Sequence, residues 1–323
     1  MTRSRLSHDE ACQRLGMLQH QLQQIIIGQN QTIHHLLAAL LSNGHVLLEG
    51  VPGLGKTRLI NALAHSLDLP AKRIQFTADL MPSDVLGHSI YDSATQRFIL
   101  RKGPAFTHLL LADEINRAPA KTQAALLEVM QERQITLDGE RHDLPAPFMV
   151  LATQNPIEQA GTYALPESEL DRFMLSYVLD YPGQDAEISL VTLNANPQQA
   201  EQSLNGLNTL LNREDILALQ QQCQQLTMAS SLVGYAVSLV RQTRDNSDLA
   251  HGAGPRASIA LVQAARANAL LAGRDHVLPE DIQAMASAVL RHRIALSSEA
   301  AIAGISTEAV IQRIIDDEPV PRG

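Results

Sequence analysis

The stretch HVLLEGVPGLGKT, residues 45–57, restricts the possible folds of this chain more than any other part of its sequence. The apolar run VLL predicts a short buried strand, and the residues from Gly50 to Thr57 match the pattern G-x-x-x-x-G-K-[ST]. A loop of this kind turns backbone N–H groups toward a polyphosphate, and the dipole of the following helix favours the same anion. A chance match in a Gly/Pro-rich turn is disfavoured, because a predicted strand precedes the loop and a predicted helix follows it.

The last two residues of this loop have side chains suited to the phosphates of ATP. Lys56 places a compact positive charge on the β- and γ-phosphates, and the hydroxyl of Thr57 is placed to ligate Mg²⁺. Further candidates come from the rest of the loop and from the apolar corner IIIGQ at residues 25–29. The candidate ATP-binding residues of these two segments are Gly28, Gln29, Gly50, Val51, Pro52, Gly53, Leu54, Gly55, Lys56, Thr57 and Arg58.

A second predicted buried strand, LLLA at residues 109–112, ends in the acidic pair Asp113 and Glu114. Strands often end in acidic residues, so this pattern is weak by itself. Downstream of a phosphate loop it becomes strong, because ATP hydrolysis needs two carboxylates at this place. We expect Asp113 to hold the Mg²⁺ shell and Glu114 to polarise the attacking water.

Two further polar residues follow predicted elements in the same half of the chain. Asn155 comes after the strand FMVLA at residues 148–152, where it either orients the water or caps a turn before Pro156. Arg172 ends the short predicted helix LPESELDRF. Its side chain either pairs with Glu169 of its own chain or points out of the subunit toward the ATP of a neighbour.

Composition and charge narrow the class of protein. The 323 residues are 45% hydrophobic and 18% charged, which predicts a globular protein large enough for two domains. The net charge of −9 and the 3% aromatic content argue against a protein that coats nucleic acid. They do not exclude a local basic pore, because net charge describes only the average surface. With no long apolar run, no apolar leader and only two cysteines, the chain is expected in the cytoplasm without a membrane span.

The pattern of elements changes at Pro182-Gly183. Before it, strands alternate with helices, and two hairpins are predicted near residues 87–104 and 135–147. The first hairpin is either a surface feature without a binding role or an element that binds another molecule. We therefore predict a domain over 1–182 and a helical domain over 183–323 whose tail is disordered after about Asp316. The predicted helices of the second domain span about 185–195, 213–226, 231–244, 256–272 and 279–292.

The motifs GVPGLGKT, LLLADEINRA, LATQNP, LPESELDRF and GAGPRAS occur in this order over roughly residues 20–295. In order and spacing they resemble the MoxR family of AAA+ ATPases. The resemblance implies an α/β fold, an AAA+ P-loop αβα core with a parallel sheet, followed by an all-helical C-terminal lid. It also implies assembly into a ring, usually a hexamer. By similarity Asn155 is the first sensor, Arg172 the arginine finger and Arg256 the second sensor, which binds ATP from the lid.

The same resemblance implies what hydrolysis is used for. The first expectation is chaperone-like remodelling, maturation or activation of partner proteins, often ones with von Willebrand factor A domains that carry a metal site. The alternative is the ATPase subunit of a metal chelatase. A nucleic-acid motor is disfavoured by the acidic charge, and a scaffold without turnover by the complete catalytic set. That set is Lys56, Glu114, Asn155 and Arg172, with Thr57 and Asp113 at the metal.

Overall fold

The computed structural model describes residues 6–50, 54–155, 162–195, 204 and 206–321 of the chain. Strands and helices alternate in the first half of the chain. In chain order these elements are α1 (His8–Ile25), α2 (Asn30–Leu41), β1 (Val46–Glu49), α3 (Lys56–Leu67), β2 (Ala71–Gln75), α4 (Pro82–Leu86), β3 (Gly87–Asp92), β4 (Arg97–Lys102), β5 (Leu109–Asp113), the 3₁₀ turn Ile115–Arg117, α5 (Ala120–Glu132), β6 (Gln134–Leu137), β7 (Glu140–Asp143), β8 (Met149–Gln154), α6 (Glu167–Leu170) and β9 (Leu175–Val178).

The second half is dominated by helices. Its elements are α7 (Gln184–Asn194), α8 (Arg213–Gln225), α9 (Ser230–Gln242), β10 (Leu249–His251), α10 (Pro255–Leu271), α11 (Pro279–Leu290), β11 (Ala295–Leu296), α12 (Ser298–Ile302) and α13 (Thr307–Asp317).

Five parallel strands form the main sheet in the order β2-β5-β8-β1-β9, which confirms the predicted α/β fold. The three central strands are buried on both faces, and for this reason their sequences are continuous apolar runs. The alternating sequence RIQFT at residues 73–77 predicts a strand, and the observed edge strand β2 begins two residues before it. Its ladder ends opposite Asp113, the last residue of β5, so the buried Phe76 lies beyond the strand.

Two antiparallel hairpins project from the alternating half of the chain. One pairs β3 with β4 and the other pairs β6 with β7, close to the two segments in which the sequence predicts hairpins. The first hairpin exposes aromatic side chains, since Phe98 is 74% and Tyr91 56% accessible to solvent. These rings meet edge to face, with 5.4 Å between their centroids.

The C-terminal region is mainly helical, as predicted, and contains one short ladder that the sequence did not indicate. The short strands β10 and β11 pair as an antiparallel ladder, which is too short to leave an alternating pattern in the sequence. The helix α13 was not among the predicted helices; it ends at Asp317, close to the point after which we expected a disordered tail. It buries Val310, Ile311 and Ile314 at helical spacing. No helix in the described ranges has the length and apolar character needed to cross a membrane.

The C-terminal helices share a core with the sheet. One apolar cluster extends from α1, α2 and α3 through the sheet into α8, α9, α10 and α11, while a second cluster fills the other face under α5. Polar bonds reinforce this contact: Gln220 Nε2 donates to Leu40 O at 2.7 Å, and His34 Nε2 lies 2.6 Å from Asn268 Oδ1. The helical region is therefore packed mainly against α1 and α2, which cover one face of the sheet, and its helix α11 also contacts the edge strand β9.

Candidate active site

A cleft of about 920 Å³ lies at the carboxyl ends of β1, β5 and β8. Ligands collect at this edge of parallel α/β sheets. Most of the residues selected from the sequence line it, namely Gln29, Gly50, Leu54, Gly55, Lys56, Thr57, Arg58, Asp113, Glu114 and Asn155. Gly28 lies between two lining residues, while Val51, Pro52 and Gly53 fall outside the described residues.

The end of the phosphate loop has the backbone that its sequence requires. Gly55 has a φ of 78° and precedes α3, and a Cβ added there would meet nothing within 4 Å. The left-handed conformation, and not crowding, therefore selects glycine at this position. Lys56 Nζ donates to Gly50 O at 2.9 Å, and Gln29 Nε2 donates to Leu54 O at 2.7 Å, so the apolar corner is tied to the loop.

The electrostatics around Lys56 favour a bound anion. Burial lowers the pKa of Lys56, and the nearby carboxylates of Asp113 and Glu114 partly offset this effect. The ammonium group has thus lost part of its water without gaining a salt bridge of its own among the described residues. A phosphate group bound here would restore the missing counter-charge.

Thr153, near the end of β8, holds the carboxylate of Asp113 and the backbone of Glu114. Its hydroxyl donates to Asp113 Oδ1 at 2.6 Å and accepts the backbone N–H of Glu114 at 2.8 Å. Glu114 has a φ of 56°, a conformation that non-glycine residues rarely adopt and that often occurs at functional sites. This bend separates the side chain of Glu114 from the direction of the strand that carries Asp113.

Three side chains that sequence analysis did not select also bind these carboxylates, and two of them, Arg73 and Gln75, line the cleft. Arg73 Nη2 pairs with Asp113 Oδ2 at 2.7 Å, and Gln75 Nε2 donates to Glu114 Oε2 at 2.7 Å. Arg117 Nη1 pairs with the same Glu114 oxygen at 3.0 Å. Alternate residues of a strand share one face, so the spacing of Arg73 and Gln75 would have indicated them once β2 was known to neighbour β5.

The donor set fits a nucleotide with a magnesium ion. The carboxylate of Asp113 and the hydroxyl of Thr57 are hard oxygen ligands, which Mg²⁺ takes together with phosphate oxygens. Asn155 lines the same cleft and is 6% exposed, and its backbone carbonyl accepts a hydrogen bond from Asn116 Nδ2 at 3.3 Å. Pro156, on which the alternative role of Asn155 as a turn cap depends, is outside the described residues.

Arg172 lies where the strands begin. Their amino ends form the edge of the sheet that is opposite the cleft. The nearby Met174 N–H donates to His45 O at 2.9 Å, immediately before β1, whereas the phosphate loop begins after β1. The four residues of β1 therefore separate the amino end of the strand, near Arg172, from the phosphate loop at its carboxyl end by roughly 13 Å. Arg172 Nη1 donates to Leu127 O at 3.2 Å, and the side chain borders a surface recess with Glu128, Glu132 and Glu169.

Arg256 also lies away from the cleft, contrary to what the sequence led us to expect. It is at the start of α10, its side chain is 55% exposed, and its Nη1 is 3.9 Å from Asp171 Oδ2. Among the described residues that line the cleft, neither Arg172 nor Arg256 is present. The helical region reaches the cleft instead through Glu187, Leu190 and Val191 of α7 and through Leu204.

Comparison with known proteins agrees with this geometry. The model of the ATPase family associated with various cellular activities (AAA) matches residues 45–175, and that of the AAA lid domain matches residues 241–314. Chaperone MoxR1 of Mycobacterium tuberculosis is 42% identical over 94% of this chain and 81% of its own length. The uncharacterized protein YeaC of Bacillus subtilis is 44% identical over 95% of each chain.

A solved structure extends the agreement to the fold. The crystal structure of a Cytophaga hutchinsonii protein described as an ATPase superimposes with a TM-score of 0.89. The two chains are 40% identical, and the match covers 97% of this chain and 96% of the other. Sequence, fold and relatives thus agree: the chain belongs to the MoxR family of AAA+ ATPases and is an ATP-hydrolysing enzyme.

Proposed function

We propose that this ATPase works as a ring in which each ATP site is completed by the neighbouring subunit, and that it uses hydrolysis to remodel a partner protein. One observation carries the proposal. Arg172, the arginine that the family resemblance marks as the finger, is separated from the cleft of its own chain by the length of β1. Since the cleft and Arg172 lie at opposite edges of one sheet, a closed ring brings the finger of one subunit to the cleft of the next.

Within one subunit, the cleft residues divide the chemistry. Lys56 and the loop N–H groups bind the β- and γ-phosphates, and Thr57 and Asp113 would hold Mg²⁺. The ion, when bound, neutralises phosphate charge and orients the phosphates. Glu114 polarises the attacking water, and Asn155 orients it beside the terminal phosphate.

Arg172 supplies the remaining positive charge from the neighbouring subunit. Charge builds up on the transferred phosphoryl group, and a guanidinium beside it raises the rate by roughly 10³–10⁵, or about 4–7 kcal/mol, in other nucleotide hydrolases. Arg256 contacts the carboxylate of Asp171, next to Arg172, so we assign it to the same face. In this arrangement both arginines serve the neighbour's ATP.

The work done with this energy is assigned from the family. We place the domain boundary near residue 182. Nucleotide-driven motion of the helical domain then acts on a partner protein, and the partner that we propose carries a von Willebrand factor A domain. Support comes from the relative that is named a chaperone. The metal-chelatase subunit remains the second candidate, because it shares this architecture. We retain the expectation of a hexameric, cytoplasmic assembly.

Replacing Glu114 with Gln tests the proposed roles and the partner together. The Glu114→Gln variant should bind ATP normally and hydrolyse it at least about 10²-fold more slowly, because it keeps the phosphate contacts and loses only the base. When it is captured in the ATP state, the variant should retain a partner that carries a von Willebrand factor A domain. Lys56→Ala, which cannot hold the phosphates, should not retain it. Normal turnover by Glu114→Gln would move the base elsewhere, and capture of a tetrapyrrole-binding subunit would favour the chelatase.

A further inference from the structure

Arg293, three residues after α11, is buried and makes several hydrogen bonds through its guanidinium. Its side chain is 3% exposed. Nε donates to Asp171 Oδ1 at 2.7 Å, and Nη2 donates to Phe173 O at 2.6 Å and to Asp171 O at 3.2 Å. Nη1 donates to Met174 O at 3.1 Å and to Val289 O at 2.5 Å. All five N–H donors of the guanidinium therefore have acceptors.

Four of these five bonds end on one segment, residues 171–174, which contains Arg172. The neighbouring His292 adds a fifth contact to it, with its Nε2 2.9 Å from Phe173 O. His292 is buried, and burial together with the charge of Arg293 keeps its pKa well below the ordinary value, so a neutral ring donates this bond. The backbone on both sides of Arg172 is thus held by the helical region of the same chain.

Holding a loop through a buried charged side chain is energetically costly. Burial lowers the pKa of Arg293, and the hydrogen bond and charge of Asp171 counteract this, so that the carboxylate offsets part of the cost of burying the guanidinium. Burying a charge in this way adds little net stability compared with apolar packing. What a five-bonded guanidinium supplies is a fixed geometry for the groups that it binds.

We propose that Arg293 is a positioning residue for Arg172. It sets the place and angle of the arginine finger and ties them to the C-terminal helices of the same subunit. Any movement of these helices then moves the finger relative to the neighbour's ATP. This inference rests on the proposed function, because it needs Arg172 to act on the adjacent subunit.

A positioning role predicts that replacing Arg293 lowers turnover and leaves ATP binding unchanged, whereas a general structural role predicts that both are lost together. None of the described residues that line the cleft contacts Arg293, so an Arg293→Gln subunit should bind ATP as the wild type does. Its finger should be displaced, and misplacement by about 1 Å lowers a rate on the order of a hundredfold. We therefore expect kcat to fall by that factor while KM for ATP stays within about twofold.

Mixed assemblies test this directly, with Arg172→Ala and Lys56→Ala as reference proteins. Arg172→Ala holds ATP but donates no finger, and Lys56→Ala donates a finger but holds no ATP. If Arg293 positions the finger, Arg293→Gln should regain activity when mixed with Lys56→Ala and stay inactive when mixed with Arg172→Ala. As a control, Arg274→Gln removes another guanidinium of the helical region, which binds Asp281 at 2.5 Å and 2.6 Å, and should support activity with Arg172→Ala.

Each other outcome contradicts the proposal in a recognisable way. Recovery of Arg172→Ala by Arg293→Gln would show that the finger is delivered without Arg293. Failure of Arg293→Gln to bind a fluorescent ATP analogue would make Arg293 a general structural residue. Failure of the reference pair, Arg172→Ala with Lys56→Ala, would refute the shared site, and the role of Arg293 with it.

Discussion

Arg73 and Asp113 form an ion pair inside the cleft, and this pair involves the carboxylate that we assign to the metal. The side chain of Arg73 is 49% exposed and that of Asp113 15%, so water screens the pair and its net stabilisation is at most about 1 kcal/mol. A pair of this strength can be displaced by a divalent cation. We infer that Arg73 balances the charge of Asp113 before the metal binds.

Replacing Arg73 with Gln should change the metal requirement. The Mg²⁺ concentration that gives half-maximal binding of a fluorescent ATP analogue should fall by about threefold to fivefold, since the ion no longer competes with the guanidinium. Binding of the analogue in EDTA should weaken, because the cleft loses a positive charge. Lys72→Gln, an equal charge change at the preceding residue of β2, is the control, and an equal effect of both variants would contradict this role of Arg73.

At this scale the sequence predicts residues whose chemistry is local. The glycines, Lys56 and Thr57 follow from one contiguous loop, and Asp113 and Glu114 follow from the end of one strand. Arg73, Thr153 and Arg293 were missed because their partners are distant in sequence, and their function depends on which strand or helix lies next to theirs. Arg256 was assigned to its own cleft by resemblance, and its contact with Asp171 depends on how the helical region packs.

At the scale of elements, β1 is fixed in the sheet by a histidine that precedes it. The buried ring of His45 accepts the backbone N–H of Val150 at its Nδ1, 3.0 Å away, and its Nε2 donates to Met130 O at 3.0 Å. This arrangement links β1 to β8 and to the end of α5, and it requires a neutral ring. Burial lowers the pKa of His45 to about 4, and the bond to Met130 O and the charge of Arg133 act in opposite directions on it.

This histidine predicts a loss of stability in acid. An unfolded histidine has a pKa of about 6.5, so between about pH 6.5 and 4 the unfolded chain binds a proton that the folded chain does not. The stabilisation is complete above this window and is lost as the pH falls through it, by on the order of 1 kcal/mol per pH unit. His45→Gln should be less stable at pH 7 and lose less stability toward pH 4.5 in denaturant titrations. Parallel pH profiles for this variant and the wild type would contradict the assignment, and the exposed His88→Gln is the control.

Whole elements were easier to predict than their arrangement. The buried strands and the long helices carry strong periodic patterns, and α8, which is capped by Asn212 and Asp215, begins at Arg213, where the sequence predicts a helix. The ladder of β10 and β11 and the shift of β2 were missed, because short strands are defined by their partners and not by their own sequence. The strand order and the packing of the helical region against α1 and α2 are tertiary facts with no local signal.

At the scale of the whole molecule, the chain separates the place where ATP binds from the residue that would complete its hydrolysis. The cleft and Arg172 lie at opposite edges of one rigid sheet, and one continuous apolar cluster joins this sheet to the helices that hold the finger. A single subunit therefore offers a site and a finger that cannot meet within the chain. Specific ATPase activity should therefore rise with protein concentration until assembly is complete.

The most direct measurement is the activity of mixtures of Arg172→Ala and Lys56→Ala over all mole fractions. Each protein alone should be nearly inactive. Equal mixing should give a maximum near one quarter of wild-type activity, because about one interface in four then joins an intact ATP site to an intact finger. A flat, inactive profile in assemblies shown to contain both chains would contradict the shared site.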